Sequence, residues 1–405
     1  MPTLRPVRSH GDPRAENLLV HGDNLPALRA LAPSFASAIR CVYLDPPFNT
    51  GRSFAEYEDA RAPEEWDAMM RPRLEAIRPL LAPDGAVFVE IDDTQLAALT
   101  RLMDDIFGAK NRISTITIIR SAPTGHKAIN AGPVNVSDFL LAYALDRRRW
   151  KYRPQVSVRA GFDAAYSTWL DEPSAKPARW RFRPLKAAVA DVLGHVTPRD
   201  AARALGRETF LARVYAHALE NAKHVVRFAQ PRYEAIGTPA QRIVDRSKGS
   251  PDRVFVLERP GRAPFIVRGG NRILFLSSKV RDIDGRPAIV EPLTNVWSDV
   301  PFQGISREGG VVFTRNKKPE RLVARVLAMA SDPGDWVLDP FLGSGTTAAV
   351  AHKMMRRWVG IELGDHATTL AEPRLQRVVD GEDRTGVTVA TGFAGGGGFR
   401  VATIG

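Results

Sequence analysis

A carboxylate, two prolines and an aromatic ring follow one another at the end of an apolar run, as Asp45, Pro46, Pro47 and Phe48. Asp45 offers a carboxylate oxygen, and Pro46 offers a carbonyl oxygen that the rigid Pro-Pro backbone holds in place. Together they can accept both protons of an aromatic amine and leave its nitrogen lone pair directed at an electrophile. The ring of Phe48 offers a face for stacking. The tetrapeptide therefore predicts a clamp for an exocyclic amine, against the plainer alternative of a proline-rich strand exit with a core phenylalanine.

A glycine loop lies far along the chain, where Gly343 and Gly345 follow one apolar run and precede a stretch of helical spacing. Glycines in such a turn let the backbone approach a nucleotide closely, and the helix N-terminus faces the ligand. Glu362 ends the next apolar run, a placement that suits a carboxylate binding ribose hydroxyls. The loop lacks the lysine of a phosphate-binding P-loop. These residues predict a nucleoside-binding site, with NAD as one candidate ligand and a ligand-free tight turn as the alternative.

Asp339, at the start of this loop, distinguishes between the candidate ligands. A carboxylate here would repel the pyrophosphate of a dinucleotide. It can instead receive the ammonium group of a methionine moiety through a charge-assisted hydrogen bond. The charge of Asp339 therefore favours S-adenosylmethionine over NAD.

Short apolar runs carry these residues at their ends and alternate with stretches of helical spacing in both flanking thirds of the chain. The strand before Asp45 must stop there, because tandem prolines cannot donate to a strand ladder. The alternation indicates a mostly parallel sheet covered by helices. The predicted strands are Leu18–His21, Ile39–Leu44 and residues 86–91, 336–338 and 358–361, with short β-like runs over 254–290. The predicted helices are residues 25–31, 74–81, 96–107, 319–330 and 348–355, with a helix-like stretch at 197–229.

The chain is basic, with 57 Lys and Arg against 45 Asp and Glu and a formal charge of +12, which favours a polyanionic partner. Between residues 146 and 186, eleven Lys and Arg stand against four Asp and Glu, with aromatic residues interleaved. Such a segment can neutralise phosphates and stack on an extruded base, although a solvated basic face is the alternative. The candidate DNA contacts are Arg147, Arg149, Lys151, Arg153, Arg179, Arg181 and Arg183.

Other classes are disfavoured by what the sequence lacks. The single cysteine, Cys41, excludes an internal disulfide framework and a cysteine-based zinc cluster. The histidines show no metal-binding spacing, so we expect no metal. No apolar run approaches the roughly 20 residues that span a bilayer, and the polar N-terminus is not typical of a signal peptide. We therefore expect a cytoplasmic protein that has no membrane partner.

At this point a family resemblance is clear. The segment from Asp45 through Asn49, Thr50 and Gly51 resembles the catalytic motif of amino-methylating DNA methyltransferases, specifically the adenine-N6 kind, and Asp339 to Thr347 resembles their cofactor loop. The catalytic motif precedes the loop and the basic block lies between them. This order is similar to the β group of these enzymes, which includes the modification subunits of type III restriction-modification systems. The chain departs from the family in being shorter than a typical type III modification subunit.

The resemblance implies an α/β fold, namely a circularly permuted S-adenosylmethionine-dependent methyltransferase with a Rossmann-like doubly wound sheet and an inserted target-recognition region. Residues 1–145 would form the first part of the catalytic domain, residues 146–295 the target-recognition region, and residues 296–405 the second part and the tail. Asp23 would contact the cofactor adenine, and Lys318 would lead the helix beside the methionine end. The implied cofactor-binding residues are Asp23, Lys318, Asp339, Pro340, Phe341, Gly343, Gly345, Thr346, Thr347 and Glu362.

The resulting hypothesis is adenine-N6 methylation of duplex DNA by base flipping and direct in-line transfer, with Asp45, Pro46, Pro47 and Phe48 at the catalytic site. Cytosine-N4 methylation uses the same amine chemistry and remains the nearest alternative. A DNA-binding module with an inactive methyltransferase fold is a further one. Cytosine-C5 methylation is disfavoured, because Cys41 lies inside a predicted strand and not in an active-site loop. The implied partners are duplex DNA, a second copy of the chain and a restriction subunit.

Overall fold

The computed structural model describes residues 2–49, 52–53, 58–59, 63–122, 132–283, 285–313 and 317–405. Thr50 and Gly51 of the predicted motif lie outside these residues. The described chain divides into two compact units: residues 1–155 with 293–405 form the first, and residues 156–292 form the second. Within the described ranges, no helix is both long and apolar enough to cross a membrane.

The fold is mixed α/β. The strands are β1 (Leu4–Gly11), β2 (Leu18–His21), β3 (Ile39–Leu44), β4 (Arg52–Ser53), β5 (Glu58–Asp59), β6 (Leu81–Ile91), β7 (Arg112–Ile119), β8 (Ser137–Ala144), β9 (Val156–Val158), β10 (Thr168–Leu170), β11 (Phe182–Pro184), β12 (Val225–Ala229), β13 (Val254–Arg259), β14 (Arg262–Arg268), β15 (Asn271–Phe275), β16 (Val280–Ile283), β17 (Arg286–Pro292), β18 (Val296–Trp297), β19 (Trp336–Asp339), β20 (Arg357–Glu362) and β21 (Gly398–Ile404). The helices are α1 (Asn24–Phe35), α2 (Pro63–Ile77), α3 (Asp93–Phe107), α4 (Leu185–Val192), α5 (Pro198–Leu205), α6 (Arg207–Glu220), α7 (Thr238–Lys248), α8 (Glu320–Ala330), α9 (Thr346–Lys353), α10 (Glu372–Val379) and α11 (Thr388–Thr391).

The first unit is built on a ten-stranded sheet with the order β1-β21-β2-β20-β19-β3-β6-β8-β7-β18. The run from β21 to β6 is parallel throughout, whereas β1 and β8 pair antiparallel with their neighbours. The parallel strands consist almost entirely of buried apolar residues, as expected for strands covered on both faces.

Alternate residues of each central strand enter two separate cores, because successive side chains point to opposite faces of a sheet. Cys41 and Tyr43 of β3 belong to the core that contains the apolar faces of α8, α9 and α10. Val42 and Leu44 belong to the core that contains α1, α2 and α3. Helices therefore cover both faces of the sheet, and the strand ends are held in a rigid frame.

The carboxyl ends of the central parallel strands meet at one edge of this sheet. β3 ends next to Asp45, β19 ends at Asp339 and β20 ends at Glu362, and β19 lies between the other two. Ligands of open α/β sheets bind in the crevice outside these carboxyl ends. The chain thus brings together at one edge residues that lie about 300 positions apart in the sequence.

The second unit contains a six-stranded antiparallel sheet, ordered β11-β10-β12-β15-β14-β13, and a three-stranded sheet, ordered β16-β17-β9. Helices α4, α5 and α6 pack around one apolar cluster of this unit, and α7 packs on β13 and β14 around another. The boundaries of the unit, 156 and 292, lie inside the region 146–295 that the family resemblance implied for target recognition.

Most of the predicted central elements are present, with one clear error in the second unit. The helix-like stretch 197–229 is interrupted, because α6 ends at Glu220 and Val225–Ala229 is a strand paired with β10 and β15. Val225 and Val226 are fully buried, and a short β-branched pair of this kind cannot be assigned from periodicity alone.

Candidate active site

A cavity of about 580 Å³ opens at the carboxyl edge of the parallel strands. Every residue predicted above for catalysis or cofactor binding lines it, with the exception of Gly345. The amine clamp and the glycine loop therefore face the same space. A cavity of this volume lies within the range of about 300–1,000 Å³ that is usual for small-molecule sites.

The Asp45–Phe48 segment is fixed by contacts on its far side. The indole Nε1 of the buried Trp66, on α2, donates to the Pro47 carbonyl oxygen at 2.8 Å. The ring of Phe48 packs against the core that includes α2. Asn49 has a φ of 59°, a left-handed conformation that asparagine tolerates better than most residues and that turns the chain sharply. Trp66 occupies the Pro47 carbonyl, and Pro46 lines the cavity beside Asp45.

Asp45 pairs with a lysine that we had expected at the cofactor. The Lys318 Nζ lies 3.0 Å from Asp45 Oδ1 and 2.8 Å from Glu90 Oε1. The same ammonium lies 4.7 Å from the centre of the Phe48 ring. Glu90 is completely buried, and its other oxygen accepts a hydrogen bond of 2.5 Å from the Tyr43 hydroxyl. Burial raises the pKa of Asp45 above its usual range, and the Lys318 ammonium opposes that shift.

The glycine loop makes a tight connection between β19 and α9. Gly343 and Gly345 have φ values of 55° and 82°, a left-handed region where glycine carries no steric penalty. Gly345 caps the N-terminus of α9. The first turn of α9 therefore presents its unpaired N–H groups toward the cavity, near Thr346 and Thr347.

Asp339 is almost fully buried at the end of β19. Its Oδ1 accepts a hydrogen bond of 2.9 Å from the Phe341 backbone N–H. Burial raises the pKa of Asp339 to about 7, although hydrogen bonds from the Thr347 side chain and from Phe341 N–H lower it. A cationic ligand group placed at this carboxylate would stabilise its charged form.

Glu362, at the end of the neighbouring strand β20, contacts the glycine loop. Its Oε2 accepts from the Gly343 backbone N–H at 2.7 Å, and its Oε1 accepts from Gly364 N–H at 3.0 Å and lies 3.0 Å from His366 Nε2. Burial raises the pKa of Glu362, but the His366 ring and these backbone donors outweigh burial and hold the pKa below its usual value. Glu362 is therefore ionised at neutral pH and fixed at the cavity wall.

Asp23 follows β2, the sheet neighbour of β20, and caps α1, since its side chain accepts from Leu25 N–H at 2.8 Å. Arg73 of α2 pairs with Asp23 and also donates to the Asn24 side chain at 2.5 Å. Asn24 in turn donates to the Pro340 carbonyl at 2.7 Å. This chain of contacts ties the N-terminal part of the sequence to the glycine loop.

The predicted DNA contacts divide between the two units. Arg147, Arg149, Lys151 and Arg153 lie in the first unit, and Arg179, Arg181 and Arg183 lie in the second. Arg153 is half-buried and pairs with Asp332 at 2.8 Å, and Arg183 is half-buried and pairs with Asp171 and Asp191. The other five are exposed. Arg153 and Arg183 thus have carboxylate partners at the protein surface, and the other five side chains are more exposed.

Two further features bear on the expected chemistry. Among the residues that the structure describes, no group of three or more His, Cys, Asp or Glu side chains could hold a metal ion. Cys41 is completely buried in β3, and burial raises the pKa of its thiol well above the usual value. A buried neutral thiol is a poor nucleophile, so Cys41 gives no support to a cytosine-C5 mechanism.

Several residues that shape the cavity were not singled out from the sequence. Glu90 gives a usable signal, because it is an acidic residue inside the apolar run of β6. Asn24 follows Asp23 directly and could have been included with it. Tyr43, Arg73 and His366 carry no local signal, since their importance arises from partners on other elements.

Comparison with known proteins gives a consistent picture. A family model described as a DNA methylase, of the N6/N4 type, matches residues 39–193 and 274–373. The HindVI Mod subunit of Haemophilus influenzae, named a probable type III restriction-modification enzyme, is 30% identical over 98% of this chain and 55% of its own length. The EcoP15I Mod subunit of Escherichia coli, named a type III restriction-modification enzyme, is 23% identical over 82% of this chain and 55% of its own length. The chain thus spans about half the length of these relatives.

The chain is also similar to a solved structure. The PvuII DNA methyltransferase, titled cytosine-N4-specific, is 13% identical, with coverage of 89% of this chain and 86% of that one and a TM-score of 0.43.

Proposed function

Because the chain belongs to the N6/N4 family of DNA methylases, we propose that it transfers a methyl group from S-adenosylmethionine to the N6 amine of adenine in duplex DNA. One observation carries the proposal: Asp45 and Pro46 line the same cavity as the glycine loop and Asp339. The proposed hydrogen-bond acceptors for the target amine and the proposed site for a methionine-bearing nucleoside therefore share one cavity.

The residues of the clamp would prepare the amine. An adenine extruded from the duplex would stack on the Phe48 ring, as in other enzymes that act on flipped bases. Its two amine protons would be accepted by the Asp45 carboxylate and the Pro46 carbonyl, so the nitrogen becomes more tetrahedral, and its lone pair is less delocalised into the ring and more nucleophilic. Fixed acceptors of this kind act without reorganisation during the reaction. As the nitrogen–carbon bond forms and the sulfur–carbon bond breaks, the amine proton passes to Asp45.

The cavity residues outside the amine clamp are suited to binding the cofactor. Asp339 would receive the methionine ammonium, Glu362 the ribose hydroxyls, and Asp23 the adenine end. The N-terminus of α9 and the backbone of the glycine loop leave room for close approach. When bound, S-adenosylmethionine supplies the electrophilic methyl group on its sulfonium.

We further propose that the sheet is circularly permuted relative to the usual methyltransferase order. In that order, the strand with the glycine loop comes first and the strand with the ribose-binding acid second. Here β19 and β20 carry these features, yet they follow β2, β3 and β6 in the chain while lying between β2 and β3 in the sheet. Permutation preserves a packed sheet when the new ends lie at the surface.

The second unit is our candidate for target recognition. Residues 156–292 hold 24 Lys and Arg against 14 Asp and Glu, so this third of the chain carries most of the net charge of +12. A positive surface would bind the phosphate backbone. The similarity to type III Mod subunits also suggests a restriction subunit and a second copy of the chain as partners.

The Asp45→Asn variant tests the catalytic assignment. Incubation with unmethylated DNA and methyl-labelled S-adenosylmethionine should give label transfer by the wild type and a loss of at least about 100-fold in the variant, since one electrostatic group of a reacting site is commonly worth about 10²–10³ in rate. Calorimetry should show that the variant binds S-adenosylmethionine within a few-fold of wild type. Full activity of Asp45→Asn would refute the clamp. Binding of NAD in place of S-adenosylmethionine would refute the methyltransferase assignment.

A further inference from the structure

The Lys318 ammonium lies at the centre of a buried group of acidic side chains. It contacts Asp45 at 3.0 Å and Glu90 at 2.8 Å, and its side chain is only 8% exposed. Lys318 directly precedes Pro319, the N-cap of α8, so its backbone is fixed by a helix that packs into the core. A lysine held in this way cannot leave the catalytic segment without disturbing α8.

These contacts place Lys318 at the amine clamp and not at the cofactor loop. None of the polar contacts described for Lys318 involves Asp339, Glu362 or the loop between them. Its ammonium instead lies against both predicted catalytic side chains, the Asp45 carboxylate and the Phe48 ring. The ion pair uses Asp45 Oδ1, so it does not itself occupy Oδ2.

The charges around Asp45 make such a cation necessary. Glu90 and Asp339 both raise the pKa of Asp45 through their negative charge, and burial raises it further. Asp138, buried on β8 and paired with Arg120, adds a third acidic group that interacts with Lys318. The Lys318 ammonium opposes these effects, and the pKa of Asp45 is about 8 with this cation in contact. Without the cation, Asp45 would keep its proton to a still higher pH, and its protonated oxygen would be a donor.

On the basis of the proposed function, we propose that Lys318, anchored by Glu90, is a positioning residue for methyl transfer: through its ion pair with Oδ1 it stabilises the charged form of Asp45 and orients the carboxylate toward the target amine, and it does not bind the cofactor.

Glu90 and Tyr43 complete the arrangement. The Tyr43 hydroxyl donates to Glu90 Oε2, and burial together with the charge of Glu90 raises the pKa of Tyr43, so the hydroxyl remains a donor. Glu90 Oε1 accepts from Lys318. Because both oxygens of Glu90 are engaged, its carboxylate is held in one orientation, and Lys318 is directed to Asp45.

Three variants test this inference: Lys318→Met, Glu90→Gln and, as a matched control, Lys317→Met. Lys317 is also buried, but its ammonium donates to the backbone carbonyls of residues 306, 308 and 311 and to no group of the clamp. The measurements are the pH profile of single-turnover methyl transfer, the dissociation constant of S-adenosylmethionine, and the titration of the Asp45 carboxyl carbon by ¹³C NMR, assigned by its loss in Asp45→Asn.

In Lys318→Met, the titration midpoint of Asp45 and the acidic limb of the pH profile should both move up by about 1–3 pH units, the usual effect of losing an opposite charge in contact. Transfer below the new midpoint should fall about tenfold for each unit. In Glu90→Gln, the midpoint should move down, because a neighbouring negative charge is removed. Lys317→Met should lower thermal stability and leave the midpoint unchanged. Affinity for S-adenosylmethionine should stay within a few-fold in Lys318→Met.

The inference is overturned if Lys318→Met weakens S-adenosylmethionine binding tenfold or more with an unchanged midpoint, which would place Lys318 at the cofactor. It is also overturned if Lys318→Met and Glu90→Gln move the midpoint in the same direction. The NMR titration needs no turnover. A wild type that methylates no DNA would therefore refute the proposed function, while the titration would still decide the pairing of Lys318 with Asp45.

Discussion

Asp339 combines two properties that work against each other at neutral pH. Burial raises its pKa to about 7, so its carboxyl group changes protonation state within the neutral pH range. Its proposed role requires the charged form, because only a carboxylate pairs with the methionine ammonium. Cofactor binding and deprotonation of Asp339 are therefore coupled.

The coupling predicts a pH dependence of cofactor affinity. As the pH falls from 7.5 to 6, Asp339 gains a proton and binding of S-adenosylmethionine should weaken by about tenfold per unit below the pKa. Asp339→Asn should lower affinity at pH 7.5 by about 10- to 100-fold, in line with about 1.5–3 kcal/mol for a hydrogen bond to a charged group. It should also abolish the dependence on pH. Calorimetry at several pH values measures both effects, and a wild-type affinity that is constant from pH 6 to 7.5 would contradict this role.

Single residues were predictable from the sequence where their chemistry is local. Asp45 and Asp339 stand at strand ends beside prolines or glycines, so both their position and their exposure to a ligand follow from short-range rules. The pairing of Lys318 with Glu90 was not predictable, because the two residues lie 228 positions apart and meet only through the sheet topology. For the same reason the sequence led us to expect Lys318 at the cofactor.

The loop between β19 and α9 depends on glycine for two separate reasons. Gly345 has a φ of 82°, and a methyl group added there would meet the Ala371 side chain at 3.2 Å. Gly334, in the turn before β19, has a φ of 85°, and an added methyl group would meet no described atom within 4 Å. The two positions therefore share the backbone strain but differ in the close contact and in their distance from the cavity.

This pair allows the loop's role in binding to be separated from stability. Gly334→Ala should cost about 1–2 kcal/mol through left-handed strain alone and should leave affinity for S-adenosylmethionine unchanged. Gly345→Ala should cost at least as much and should also weaken cofactor binding, since the N-terminus of α9 must shift. Denaturant unfolding and calorimetry check the two quantities. Equal loss of affinity in both variants would show that the effect is general destabilisation.

The helices and strands predicted from the sequence agree best with the structure in the parallel core, where apolar runs end at turn residues. The two terminal strands were missed. β21 begins at the last glycine of the run 395–398 and pairs with both β1 and β2. Its neighbours come from the opposite end of the chain, so no local pattern indicates the pairing. β12 was not predicted as a strand, because a short apolar run is typical of both a buried strand and a buried helix segment.

The two units of the molecule differ in charge. The second unit, residues 156–292, carries 24 of the 57 Lys and Arg with only 14 of the 45 Asp and Glu. The first unit is almost balanced and contains the cavity. If the second unit recognises DNA, its exposed arginines should contribute more to binding than its paired ones, because a paired arginine already has a carboxylate partner.

Arg179, Arg181 and Arg183 test this difference within one short segment. Arg179→Ala and Arg181→Ala should each lower DNA affinity and reduce the slope of log affinity against log salt by about 1. Arg183→Ala should leave the slope nearly unchanged, since Asp171 and Asp191 pair with its guanidinium. Fluorescence anisotropy at several salt concentrations gives the slopes. Identical slopes for wild type and the exposed-arginine variants would argue against DNA contact at this segment.

The identity of the methylated base tests the proposed function most directly. Unmethylated DNA is incubated with the protein and S-adenosylmethionine, digested to nucleosides, and analysed by mass spectrometry, with Asp45→Asn as the control. N6-methyladenine should form with the wild type and be absent with the variant. N4-methylcytosine as the product would contradict the adenine assignment while preserving the amine clamp, and formation of C5-methylcytosine would contradict the clamp itself.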